Sequence, residues 1–255
     1  MSDLHLGTKR SKSNSVLSLL NNTESEYLYL VGDIIDMWRL KSKVYWPKDH
    51  NEIIRKILKK SENNTIIKYI PGNHDDAIRN YCPLDVGDIE VCEKTDHITA
   101  TGKKFLIIHG DEFDNVTRYA KWVAILGDYG YELLLNLNAP LNWIRRKFGL
   151  GYWSLSANIK LKVKEAVNFI SSFEEALSYE CKKNGYDGVV CGHIHHPEIR
   201  NINGVHYLND GDFVESCTVL VEEMDGTIKL IRWYDENNNN VIVELLPNGE
   251  IIKNE

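Results

Sequence analysis

Five short polar clusters constrain this sequence more than any other feature. They read Asp3-Leu4-His5, Gly32-Asp33-Ile34-Ile35-Asp36, Gly72-Asn73-His74-Asp75, His109-Gly110-Asp111 and Gly192-His193-Ile194-His195. Four of them lie at or next to the ends of short apolar runs, Tyr27–Val31, Ile66–Ile70, Phe105–His109 and Gly188–Cys191, which read as strands. An α/β sheet places its sites at such strand ends. Asp, Asn and Gly favour turns after strands, so each cluster alone has a bland explanation. That explanation does not cover the imidazoles: five of the nine histidines in the chain fall in these clusters.

The mixture of carboxylates, imidazoles and one carboxamide suits divalent metals of intermediate character. Two ions held side by side need a carboxylate that bridges them and several further ligands each. Asp3, His5, Asp33, Asn73, His109, His193 and His195 supply that set. Manganese is the expected metal, and the same donors accept iron, nickel or zinc.

The rest of the chain is consistent with an α/β enzyme. At 255 residues and 43% hydrophobic content it can bury a sizeable core and is not a disordered chain. A net charge of -7 argues against a general duplex-DNA binder, and no stable nucleic-acid partner is expected. The five cysteines form no CxxC pair, which reads as reduced thiols. The polar start Met1-Ser2-Asp3 is no signal peptide, and no apolar stretch is long enough to span a membrane. The expected location is therefore cytoplasmic. Asn203-Gly204, Asp225-Gly226 and Pro247-Asn248-Gly249 each mark a hairpin among later strands, and Asn237 to Asn240 reads as a polar loop. Helices are predicted over Asp49–Lys60 and Ser156–Lys182.

The composition shifts between Asp114 and Leu155, where tryptophan, tyrosine, leucine and a basic triplet concentrate. We read a single domain over 1–255 with a helical insertion at about 115–182. Trp122, Trp143 and Trp153 could receive acyl chains there, with Arg145 and Arg146 meeting phosphate or anionic lipid. A helical hairpin packed on the body, with solvated basic residues, accounts for the same residues.

Taken in order, the five motifs resemble those of the calcineurin-like metallophosphoesterases, over most of the chain from Asp3 to about Trp233. The resemblance implies a sandwich of two mixed β-sheets flanked by helices, here with a helical lid. It implies two metals, one held by Asp3, His5, Asp33 and His195 and the other by Asp33, Asn73, His109 and His193. His74 matches the catalytic histidine, with Asp36 or Asp75 as its partner and Asp111 nearby in support.

Within that superfamily the chain looks most like the UDP-2,3-diacylglucosamine hydrolases. Ser2 to Gly7, Gly32 to Trp38, His109 to Asp114, Tyr152 to Ser156 and Asn209 to Cys217 carry the similarity. Those enzymes release UMP from a UDP-linked glycolipid in lipid A synthesis, at the cytoplasmic face of the inner membrane. Two departures stand out. His74 occupies a place where the best-known lipid A hydrolases have arginine. Only Met1 and Ser2 precede the first motif, where the family has an apolar strand, so a strand upstream is expected. A soluble phosphodiesterase or nucleotide phosphatase is the alternative activity, and a scaffold that kept the fold is the non-catalytic one.

Overall fold

The computed structural model describes residues 1–113 and 170–254. The chain divides into two compact units, Met1–Asp111 with Leu177–Glu255, and Glu112–Ala176. Trp122, Trp143, Arg145, Arg146 and Trp153, and most of the expected insertion, lie outside the described residues.

Thirteen strands are described, and the sequence-predicted strands fall on ten of them with ends shifted by up to three residues. β1 is Tyr27–Val31, β2 Ile66–Ile70, β3 Leu84–Val86, β4 Ile89–Val91, β5 Lys94–Ile98, β6 Lys104–Ile108 and β7 Gly188–Cys191. β8 is Glu198–Ile202, β9 Val205–Asn209, β10 Thr218–Glu222, β11 Ile228–Asp235, β12 Asn238–Leu245 and β13 Ile251–Lys253. They form two mixed sheets, ordered β1-β2-β4-β3 and β5-β6-β7-β9-β8, which is the expected α/β architecture. A third sheet, β10 to β13, is an antiparallel meander. Within the mixed sheets β1, β2 and β4 run parallel, as do β6, β7 and β9. The parallel pairs β1–β2 and β6–β7 bring four of the five motifs to strand ends of the same sense.

Three strands went unread for a physical reason. β3 is only three residues long and fully exposed, β4 is equally short, and β5 alternates exposed with half-buried positions and carries mostly polar residues. None offers an apolar run. The Asn237 to Asn240 loop is corrected in part: Asn238 pairs with Asp235 and Asn240 with Arg232, so most of the run belongs to β12. Backbone pairing there outweighs the poor strand propensity of asparagine.

The helices are α1 Ser13–Asn22, α2 Met37–Ser42 and α3 Lys48–Glu62, with residues 170–183 (α4) helical as far as they are described. α3 extends the predicted helix by one residue at its start and two at its end, and buries His50, Ile53 and Ile57 on one face. α1 sits in a Ser/Asn-rich stretch of modest helix propensity. Val16, Leu19 and Leu20 at helical spacing pack it onto the core and override that local preference.

One small cluster matters most for function. Val31, Ile70 and Ile107 are buried against one another at the C-terminal ends of β1, β2 and β6, joining the two mixed sheets. Gly32-Asp33, Pro71-Gly72-Asn73 and His109 follow directly on these strands. The first residues are fixed in the same layer. The Met1 amine donates to Tyr29 O at 3.0 Å, and Val31 N donates to Met1 O at 2.9 Å. Asp3 N donates to Gly32 O, and Phe213 N donates to Asp3 O.

Removing volume from this cluster should loosen both sheets at once. Ile70→Ala is expected to cost about 2–5 kcal/mol and Ile70→Val about 0.5–1.5 kcal/mol. Urea denaturation of the purified chain measures both.

Candidate metal centre

The site begins with backbone conformation. Asp3, His5, Asp33, His193 and His195 all have φ between 46° and 69°. Only three other non-glycine residues among those described share that left-handed region. It is sparsely populated for L-residues and unfavourable for bulky ones. Such strain persists where surrounding bonds over-determine it, and it clusters at functional sites. Asp33 turns the chain just after β1, and His193 and His195 turn it just after β7; Asp3 and His5 lie beside β1, bonded to the Gly32 and Asp33 carbonyls.

Glycine makes room for the folded-back side chains. A Cβ on Gly72 would lie 2.6 Å from His109 Nε2, and one on Gly192 would lie 2.5 Å from Asp3 Oδ2. Neither spot leaves space for any larger residue, which explains why the motifs carry glycine there.

Asp33 is the centre of the arrangement and is almost wholly buried. Its Oδ2 lies 3.7 Å from His5 Nε2 and 3.9 Å from His74 Nε2. Its Oδ1 lies 3.6 Å from His109 Nε2 and accepts a hydrogen bond from His74 N at 2.7 Å. The two oxygens thus face different groups of donors, as a bridging carboxylate must. Asp3 Oδ1 lies 2.9 Å from His195 Nε2 and 3.7 Å from His5 Nε2, while its Oδ2 accepts from His193 N. His193 itself stands beside His109, with ring centroids 5.1 Å apart.

Among the described residues, three sets of donor atoms lie close enough to share an ion. They are Asp3, His5 and His195; Asp3, Asp33 and His109; and His5, Asp33 and His74. His5 Nε2, Asp33 Oδ2, Asn73 Oδ1 and His109 Nε2 are buried without a hydrogen-bond partner. Buried polar atoms rarely go unpaired, because desolvation without a partner is costly. Donors of this kind fit a cation. Six of the predicted residues, Asp3, His5, Asp33, His74, His109 and His195, fall in these three sets; His193 stands beside His109, and Asn73 follows Gly72 on the adjoining loop.

Supporting contacts orient the rings. Asp36 Oδ2 lies 3.2 Å from His5 Nδ1, and Asp36 Oδ1 lies 3.1 Å from His74 Nδ1. Asp36 also caps α2 by accepting from Arg39 N at 2.9 Å, so it both braces the imidazoles and caps a helix. His109 Nδ1 lies 2.8 Å from Val31 O, which fixes the tautomer that leaves Nε2 with its lone pair. The Asp75 carboxylate is engaged away from the His74 imidazole. It accepts from the backbone N–H groups of Asp33, Ile34 and Gly72 and from the Tyr69 hydroxyl at 2.5 Å, holding two loops together.

Asp111 has a different partner from any the sequence suggested. Arg79 grips it with two nitrogens, at 2.7 and 2.5 Å, and donates to Pro71 O at 2.8 Å. One guanidinium therefore ties the loop carrying Asn73 to the loop carrying His109. Nothing in the spacing of Arg79 signals this; the pairing exists only once β2 and β6 are docked. Asp212 was likewise missed as a single residue. It accepts from Val214 N at 2.7 Å and lies 3.9 Å from His195 Nδ1.

Charge follows from this packing. Burial opposes protonation of His5, but the Asp3 and Asp36 carboxylates prevail and raise it to about 10. Burial likewise opposes charge on His109 and His195, and Asp33 and Asp3 raise them. Burial would raise Asp3, yet His195 and His5 hold it well below the usual carboxylate range. Burial would raise Asp111 too, and Arg79 lowers it.

Comparison with known proteins gives a family. The sequence pattern of the calcineurin-like phosphoesterases matches residues 1–197. No curated protein matches the chain. Among solved structures, a single mutant of Vps29 from Entamoeba histolytica is 14% identical at TM-score 0.41, covering 100% of this chain and 97% of its own. Vacuolar protein sorting 29 from Cryptosporidium parvum is 14% identical at TM-score 0.42, covering 100% and 96%. An archaeal phosphodiesterase is 14% identical at TM-score 0.40, covering 94% and 96%.

Two measurements test the geometry. A metal ligand must be deprotonated, and metal-free His5, raised to about 10, carries its proton at pH 7. Binding of manganese at pH 7 should therefore release at least one proton, and affinity should rise with pH; calorimetry in buffers of different ionisation heat reads this. Arg79→Ala should weaken metal binding about 10–100-fold through the freed Asn73 and His109 loops, measured by competition with a chelator.

Proposed function

The chain belongs to the calcineurin-like phosphoesterases, and from that premise we propose that it is a dinuclear metal-dependent hydrolase of phosphoesters or pyrophosphates. One observation carries the reading: buried, unpartnered donor atoms from separate loops converge around the two oxygens of Asp33. Asp3, His5, Asp33 and His195 would hold one ion, and Asp33, Asn73, His109 and His193 the other. Such a pair supplies an activated water and neutralises charge on a phosphoryl group.

The chain's own residues do the rest. His74 lies with Nδ1 against Asp36 and Nε2 on the side of Asp33. That orientation lets Nε2 carry a proton to a departing oxygen, with the Asp36 carboxylate steadying the resulting tautomer. Asp36 and Asp75 keep the rings and loops in place without entering the reaction. Retaining so many buried donors would cost a non-catalytic scaffold stability to no purpose, so the set favours an enzyme.

For the substrate we favour UDP-2,3-diacylglucosamine or a related UDP-linked glycolipid, cleaved to UMP and the acylated sugar phosphate at the cytoplasmic face of the inner membrane, with manganese as the metal. The sequence similarity from Gly32 to Trp38 and from Asn209 to Cys217 supports it. The insertion residues Trp122, Trp143, Arg145, Arg146 and Trp153 would meet the lipid. His74, in place of arginine, favours a second reading as a soluble phosphodiesterase or nucleotide phosphatase.

With manganese and UDP-2,3-diacylglucosamine, mass spectrometry should find UMP. Cleavage of bis(4-nitrophenyl) phosphate without UMP would discard the glycolipid and keep the hydrolase. His74→Ala should lower kcat by about 10²–10⁴-fold while metal stays bound. Turnover that survives Asp33→Ala unchanged would refute the mechanism.

A further inference from the structure

Trp38 sits on the first turn of α2, directly after the motif that carries Asp33 and Asp36. Its indole lies against the His74 imidazole, with ring centroids 4.4 Å apart and planes tilted by 31°. It is nevertheless 47% exposed. Single exposed apolar side chains are ordinary on a protein surface. This one differs in place: among the described residues it is the exposed large apolar side chain in ring contact with a residue of the site.

The position is fixed from both sides. Asp36 caps the helix that bears Trp38 and at the same time lies 3.1 Å from His74 Nδ1. Leu40, two residues on, meets the Gly7 backbone just beyond His5, where a Cβ would come within 2.9 Å of it. The indole is therefore a held surface at the rim of the site, one ring away from the atom that would protonate the leaving oxygen. A flat, partly desolvated indole favours a flat partner, and a base stacked on an aromatic side chain contributes about 1–3 kcal/mol.

We infer that Trp38 is a stacking platform for the nucleobase of a nucleotide-bearing substrate, and so a specificity-determining residue. The inference rests on the hydrolase reading above and narrows its substrates to phosphoesters with a planar ring a few bonds from the phosphorus. Trp38 takes no part in proton transfer.

Binding separates this role from simple support of His74. The manganese-loaded full chain is titrated by calorimetry with UMP and, separately, with inorganic phosphate, using wild type, Trp38→Leu and Trp38→Phe. Trp38→Leu should weaken UMP about tenfold, leave phosphate unchanged, and be largely rescued by Trp38→Phe. Equal losses for UMP and phosphate would reduce Trp38 to a support for His74. An unchanged UMP affinity, or a wild type that binds UMP no better than phosphate, would overturn the platform outright. Hydrolysis of bis(4-nitrophenyl) phosphate by the same preparation reports the hydrolase reading separately, since that diester is cleaved whether or not UMP is preferred.

Discussion

Two carboxylates, Asp3 and Asp33, are buried almost completely, and the rest of the site is arranged around that fact. An isolated buried carboxylate is strongly unfavourable unless charge or hydrogen bonds compensate it. Here imidazoles surround both, and backbone N–H groups of His74 and His193 donate to them. The compensation works in both directions, because the same carboxylates raise His5, His109 and His195. The same carboxylates that favour charge on these imidazoles would also favour a bound cation.

The sheets exist in a form that makes this possible. Val31, Ile70 and Ile107 lock three strand ends together, and every loop leaving them has only a few residues in which to turn. Left-handed backbone turns the chain at Asp33 after β1 and at His193 and His195 after β7, and Gly72 and Gly192 leave room for the donors of neighbouring loops. The third sheet contributes from the opposite end of the chain. The segment between β9 and β10 carries Asp212 beside His195 and Phe213 into the core against Leu4 and Leu6, with Phe213 N bonded to Asp3 O. Fold stability and ligand placement are thus the same set of contacts.

The site has a buried floor and a more open rim. Asp3, Asp33 and His109 form the floor, where water is excluded and electrostatic interactions are strong. His74, His195 and Trp38 stand at the rim, where a substrate would arrive. Arg79, Asp36 and Asp75 act between these parts by fixing loops and tautomers.

The donor types, their order and the strands that precede most of them are legible in the amino-acid sequence. Strands such as Tyr27–Val31 and Ile66–Ile70 are apolar runs, and apolar runs ending in Gly, Asp, Asn and His are legible without coordinates. Short or polar strands such as β3 and β5 were not, because their pairing comes from neighbours and not from their own pattern. Which donors and partners meet depends on packing between distant segments. Asp36, not Asp75, lies against His74, Asp111 belongs to Arg79, and Trp38 covers the imidazole. These are distances between segments far apart in sequence or on different loops. Residue identity fixes what a side chain can do, but long-range packing fixes which partner it does it with.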